Sequence, residues 1–181
     1  MPFCGACALL LEPVPEFQRP PYASGAAYFY GGPLADAVQR LKYGGRCELA
    51  PALGRLLADA ALPHAGRIDR VIPLPLHPGR LRERGFNQSA LLAAPVARAL
   101  GLPLDTRCLR RIRPTRDQAS LARAARAANV RGAFAALRVR DRVLLIDDVQ
   151  TTGATLASAA DALLQAGCSE VRTLALARVA E

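Results

Sequence analysis

At 181 residues the chain suits one domain with a small appendage, and a hydrophobic content of 51% excludes wholesale disorder. No apolar run approaches the roughly 20 residues of a membrane span, the start lacks the basic and apolar regions of a signal peptide, and five cysteines do not argue a disulfide framework, so a cytoplasmic protein without a membrane span is expected. The net charge of +9 is unevenly placed: residues 80–142 hold 15 Arg against 4 acids, which suggests an anionic partner, either the phosphates of a small ligand or a nucleic-acid backbone, although a solvated Arg-rich face fits the same count.

Residues 1–30 differ from the rest. They carry five prolines, a C-x-x-C at Cys4 and Cys7, and the run Tyr28-Phe29-Tyr30, and they read as irregular structure leading into an edge element. From Pro33 the pattern turns helical, with Leu34, Val38 and Leu41 on one stripe and Gly44-Gly45 as the stop. A second helix is expected at about 48–62, with Leu49, Leu53, Leu56 and Leu57 on one side. A short apolar strand follows at Arg70–Leu76, then a helix from Asn87 to Leu100 ended by Gly101. Leu104–Ile112 has the composition of a strand, and residues 113–132 are polar and without periodicity. Arg142–Val149 is a continuous apolar strand ending in acids, Gly153–Gln165 a helix closed by Gly167, and Glu170–Val179 a last strand. Alternating strands and helices with uninterrupted apolar strands predict an α/β fold, a parallel twisted sheet with helices on both faces.

The densest chemistry lies in V-L-L-I-D-D-V-Q-T-T-G-A-T, residues 143–155. Asp147 and Asp148 fall at the carboxyl end of a buried strand, where open α/β sheets bind ligands. Thr151, Thr152, Gly153, Ala154 and Thr155 form a tight turn into a helix, whose first amides and adjacent hydroxyls suit a phosphate. The two carboxylates would accept hydrogen bonds from the hydroxyls of an attached sugar, directly or through a divalent ion. A capped helix after a strand gives a blander reading, but a cap needs neither two acids nor three threonines around one glycine.

Residues 143–155 resemble the phosphoribosyl-pyrophosphate (PRPP) signature of type I phosphoribosyltransferases. Leu41-Lys42-Tyr43-Gly44-Gly45, Ile72-Pro73-Leu74-Pro75-Leu76-His77-Pro78, Arg84-Gly85-Phe86-Asn87-Gln88, Arg116-Asp117-Gln118-Ala119-Ser120-Leu121 and Asn129-Val130-Arg131-Gly132-Ala133-Phe134 together resemble the ComF/GntX family. The resemblance covers nearly the whole chain. It implies a phosphoribosyltransferase-like domain over 31–181, with residues 1–30 as the remnant of a zinc-ribbon-like region.

The resemblance also implies roles. Leu74, Pro75, Leu76, His77, Arg80, Arg82 and Arg84 would face pyrophosphate, the three alternating guanidiniums suiting its oxygens, while a structural hydrogen bond suits His77 better than general base work. Asn87 reads as a helix cap and Phe86 as core. Residues 113–132 would be a closing flap, with Arg113, Arg116, Gln118, Arg123, Arg126 and Arg131 reaching toward bound phosphate. Cys4 and Cys7 are one zinc-type pair where family members carry two, so zinc is expected to bind weakly or by sharing between copies.

Two functional expectations follow. One is Mg2+-dependent binding of PRPP or a related 5-phosphoribosyl compound, with phosphoribosyl transfer and release of pyrophosphate if the chain is active. The other is a non-enzymatic role in DNA uptake on single-stranded DNA with DNA-processing proteins, or a nucleotide-sensing regulator. Aromatics are only 5% and Trp is absent, so any single-strand affinity should be mostly electrostatic. A homo-oligomer is expected in either case.

Overall fold

A computed structural model describes residues 3–15, 23–114 and 129–180. Its centre is a parallel sheet of four strands in the order β1-β6-β5-β2: β1 is Ala23–Phe29, β2 Arg70–Pro73, β5 Arg142–Gln150 and β6 Glu170–Arg178. The long inner strands explain the unbroken apolar run of β5. Val143, Leu144, Leu145 and Ile146 are all fully buried because both faces of the sheet are covered.

Each face has its own core. Leu144 and Ile146 pack with Leu34, Val38 and Leu41 of α2 (Gly32–Tyr43), Leu53 and Leu57 of α3 (Ala50–Ala61) and Leu92 and Val96 of α5 (Gln88–Leu100). Val143 and Leu145 face Leu156, Ala159, Ala160 and Leu163 of α6 (Ala154–Gln165). The fold expected from the alternating pattern is therefore the fold observed. Among the described residues, no helix is long and apolar enough to cross a membrane.

Three local features differ from expectation. The sheet begins inside the 1–30 segment, since β1 pairs along its length with β6 and also takes the Pro13↔Tyr28 bridge on its outer side. Leu104–Ile112 is not one strand. Leu104 makes a single bridge to Val71, and Asp105 then turns the chain by accepting the amides of Arg107 and Cys108. Only β3 (Leu109–Arg111) is extended, and it pairs antiparallel with β4 (Phe134–Ala136), away from the main sheet. Finally, the segment after β2 holds a short helix, α4 (Pro78–Arg84), which Gly85 ends at φ +82°.

Helices α3 and α5 approach closely at Gly54, where an added Cβ would sit 2.6 Å from Pro95 Cγ and 3.1 Å from the Leu92 carbonyl. Leu92 and Pro95 both belong to α5, so backbone gives the contact little room to relax. Gly54→Ala should lower unfolding stability by about 1–3 kcal/mol despite alanine's better helix propensity. Urea titration checks this, and a variant at least as stable as the parent would contradict the packing.

Candidate functional site

The cleft lies at the carboxyl edge of the sheet. β2 ends its pairing with β5 at Pro73↔Ile146, so Asp147 and Asp148 continue beyond it with β6 alone beside them. Around them is a cleft of about 350 Å³, within the usual size of small-ligand sites. Its lining brings together Lys42, Tyr43, the Leu74–His77 loop, Arg80, Arg84, Ser89, Arg111, both aspartates and Thr155.

Two adjacent buried carboxylates need compensation, and the protein supplies it. Asp147 Oδ1 accepts the Ser89 hydroxyl at 3.0 Å and the Asp148 amide at 2.8 Å. Asp148 Oδ1 accepts the Val149 amide at 2.6 Å, and its Oδ2 meets Lys42 Nζ at 3.0 Å. Burial, and after it the charge of Asp148, pushes the Asp147 carboxyl well above the usual carboxylate range, against the pull of Lys42 and the two hydrogen bonds. Burial works to lower the Lys42 pKa, but Asp148 and Asp147 outweigh it and hold the ammonium above its ordinary value.

The turn after the acids is built for close approach. Gly153 sits at φ +76°, and an added Cβ would meet Gln150 Nε2 at 2.9 Å. As the N-cap of α6 it offers no side chain to the first amides; Thr152 Oγ1 makes a long contact of 3.4 Å to the Ala154 amide. Thr155 reaches the shared cleft, whereas Thr151, Thr152, Gly153 and Ala154 form the turn beside it and are not part of its lining.

On the opposite wall, His77 caps α4, its Nδ1 accepting the Gly79 amide at 3.2 Å. Because α4 is helical, its arginines do not alternate as they would in an extended loop. Arg80 and Arg84 are one helical turn apart and both line the cleft; Arg82 lies on the other side and does not. Asn87 caps α5 by accepting the Ser89 amide at 3.0 Å, and its amide donates to the Leu74 carbonyl at 3.1 Å, tying cap to loop. Phe86 packs against the core as expected.

Arg116, Gln118 and Arg126 of the expected flap, with Arg123, lie outside the described residues. Arg113 does not point to the acids: it donates to the carbonyls of Asn129 at 2.9 Å and Arg131 at 2.6 Å, joining the two ends of that segment. Cys4 and Cys7 sit together, the Cys7 amide 3.5 Å from Cys4 Sγ, while Cys108 and Cys168 are buried in the core. Among the described residues no group of three or more His, Cys, Asp or Glu could hold a metal ion, so the cysteine pair offers half of a four-ligand zinc set.

Lys42, Ser89 and Arg111 were given no role from sequence. Arg111 stands on β3 with its guanidinium 5.4 Å from the Phe134 ring, and Asp147 offsets the pKa-lowering effect of its burial. The available signal for Lys42 was composition: it is the one lysine in a chain with 24 Lys and Arg in all. Removing it should leave Asp148 buried and uncompensated. Lys42→Met should cost about 3–5 kcal/mol in urea unfolding, and Asp148→Asn in the same chain should restore part of that. Strictly additive losses would mean the pair is not coupled.

The geometry can be set beside known proteins. The Phosphoribosyl transferase domain family model matches residues 87–181. DNA utilization protein YhgH of Escherichia coli (strain K12) is 37% identical over 97% of this chain and 77% of its own length. Competence protein F of Haemophilus influenzae is 30% identical over 98% of this chain and 85% of its own. Among solved structures, the allosteric regulatory enzyme of purine biosynthesis aligns at a TM-score of 0.50 and 25% identity, over 72% of this chain and 26% of that one. The matched domain takes in α5, the acid-bearing strand β5, the Gly153 turn and α6, and the relatives extend the likeness to the N-terminal helices that carry Lys42: the chain belongs to the ComF family of phosphoribosyltransferase-domain proteins.

Proposed function

We propose that the cleft binds PRPP, or a related 5-phosphoribosyl compound, with Mg2+. The observation that carries this reading is the sequence of groups along one wall: two carboxylates at the end of β5, then a turn through a left-handed glycine into a helix whose first amides have no side-chain cap. The Thr151–Thr155 turn receives the 5-phosphate. Asp147 and Asp148 accept the ribose hydroxyls. The Leu74–His77 loop, Arg80 and Arg84 face the pyrophosphate.

The donor set suits magnesium carried in on the diphosphate. Asp148 is already paired with Lys42, so the chain offers few free carboxylate oxygens of its own, and magnesium commonly binds through one or two carboxylates plus substrate phosphates. Such an ion would neutralise charge on the leaving pyrophosphate. The bond from ribose C1 to the pyrophosphate oxygen breaks, and a bond from C1 to the acceptor forms. The chain's own residues orient the sugar and place positive charge where the leaving group develops negative charge.

PRPP with Mg2+ should raise the melting temperature of the parent protein, because a ligand bound only by the folded state must stabilise it. Asp148→Asn and Thr152→Ala should each remove most of that shift. No shift with the parent protein at millimolar PRPP would end this reading.

A second reading has its own support. The relatives bear the names DNA utilization protein and Competence protein F, and residues 80–142 carry most of the chain's positive charge. In this reading the chain binds single-stranded DNA in the cytoplasm, alongside DNA-processing proteins, through phosphate contacts. Binding of a single-stranded oligonucleotide should then fall by roughly a thousandfold or more between 50 and 200 mM salt. No binding at the lower salt would remove it.

A further inference from the structure

The Leu41-Lys42-Tyr43-Gly44-Gly45 segment at the end of α2 is only partly accounted for by the cleft described so far. Leu41 is buried in the core and Lys42 pairs with Asp148. Tyr43 is directed to the lip of the same cleft and is 65% exposed. Among the described residues it is the one aromatic side chain left exposed. Isolated exposed aromatics are common, but this one is held in place. The Arg84 guanidinium lies 5.2 Å from its ring centroid, and Arg84 Nη1 donates to Gln88 Oε1 at 2.7 Å, Gln88 itself being buried.

The chain also clears the space beside the ring. An added Cβ at Gly44 would meet the Arg40 carbonyl at 2.8 Å, and Gly45 follows at φ +64° with nothing near its Cβ position. The backbone thus turns away directly after Tyr43. What remains is a fixed aromatic ring, with a guanidinium above it, one residue from the ammonium that touches the sugar-binding acid. A planar heteroaromatic group is the ligand chemistry that such a pair recognises, by stacking and by cation–π attraction.

We infer that Tyr43, braced by Arg84, is the stacking platform for the nucleobase of a nucleotide whose 5-phosphoribosyl part occupies the cleft. The inference rests on the phosphoribosyl reading above and adds the class of ring and the residue that selects it. Tyr43 acts as a specificity residue: it contributes affinity for ligands that carry a base and none for the sugar phosphate alone.

Calorimetric titration of the parent, Tyr43→Ala and Tyr43→Phe with ribose 5-phosphate, AMP, CMP and a 5′-phosphorylated tetradeoxynucleotide tests it. The parent should bind AMP and CMP more tightly than ribose 5-phosphate. Tyr43→Ala should lose about tenfold or more for both nucleotides, Tyr43→Phe should lose little, and ribose 5-phosphate affinity should be the same in all three proteins. Tyr43 is exposed, so the variants should keep the parent's melting temperature, which the same samples verify. Nucleotides bound no better than ribose 5-phosphate, or unaffected by Tyr43→Ala, would overturn the inference while leaving the sugar-phosphate site standing. Failure of the parent to bind ribose 5-phosphate or either nucleotide would instead defeat the underlying reading. A loss confined to the tetradeoxynucleotide would assign the ring to a DNA strand and overturn the free-nucleotide assignment.

Discussion

The contact between Lys42 and Asp148 governs the rest of the site. Two neighbouring carboxylates cannot be enclosed at the edge of a sheet unless positive charge and donors come with them. Asp147 takes its donors from the start of α5 and from its own backbone neighbour, and Asp148 takes its cation from the end of α2. Those needs fix where two helices from distant parts of the chain must terminate. The apolar stripe of α2 sets its position against the sheet, and the ion pair joins its last turn to β5. An arginine would place a broader, planar group there; the compact ammonium fits a cleft that must also admit a ligand.

The cleft is assembled from pieces far apart in sequence, and each piece has a local reason for its conformation. Pro78 starts α4 and Gly85 stops it, so that Arg80 and Arg84 share a side. Asn87 caps α5 and at the same time holds the Leu74 carbonyl, coupling helix start to loop. Asp105 turns the chain out of the main sheet, which frees β3 to pair with β4 and bring Arg111 to the acids. The same side chains therefore serve turn chemistry and ligand chemistry together.

Periodicity made the larger elements legible. β5 was readable because strands covered on both faces are apolar without alternation, and α2 because Leu34, Val38 and Leu41 repeat at helical spacing. The acid pair and the glycine turn were also legible, since their residue types fit few other purposes. Long-range pairing was not. Nothing near Lys42 in sequence specifies Asp148 as its partner, and the role of Ser89 depends on where α5 begins. The arginines at 80, 82 and 84 alternate in sequence, but a seven-residue helix re-sorts them, and its signals, Pro78 and Gly85, were passed over in favour of an extended loop. β1 was obscured by small residues: A-S-G-A-A carries too little apolar bulk to announce a strand, yet suits a close parallel pairing with β6.

The single lysine has a chemical corollary. Apart from the α-amino group, the molecule holds its only primary amine inside the cleft, with every other cationic side chain a guanidinium. Amine-directed acylation is thereby concentrated at one address, where shielding by Asp148 slows it and any occupant of the cleft alters it. Few proteins of this size offer a covalent reporter of site occupancy without an engineered label.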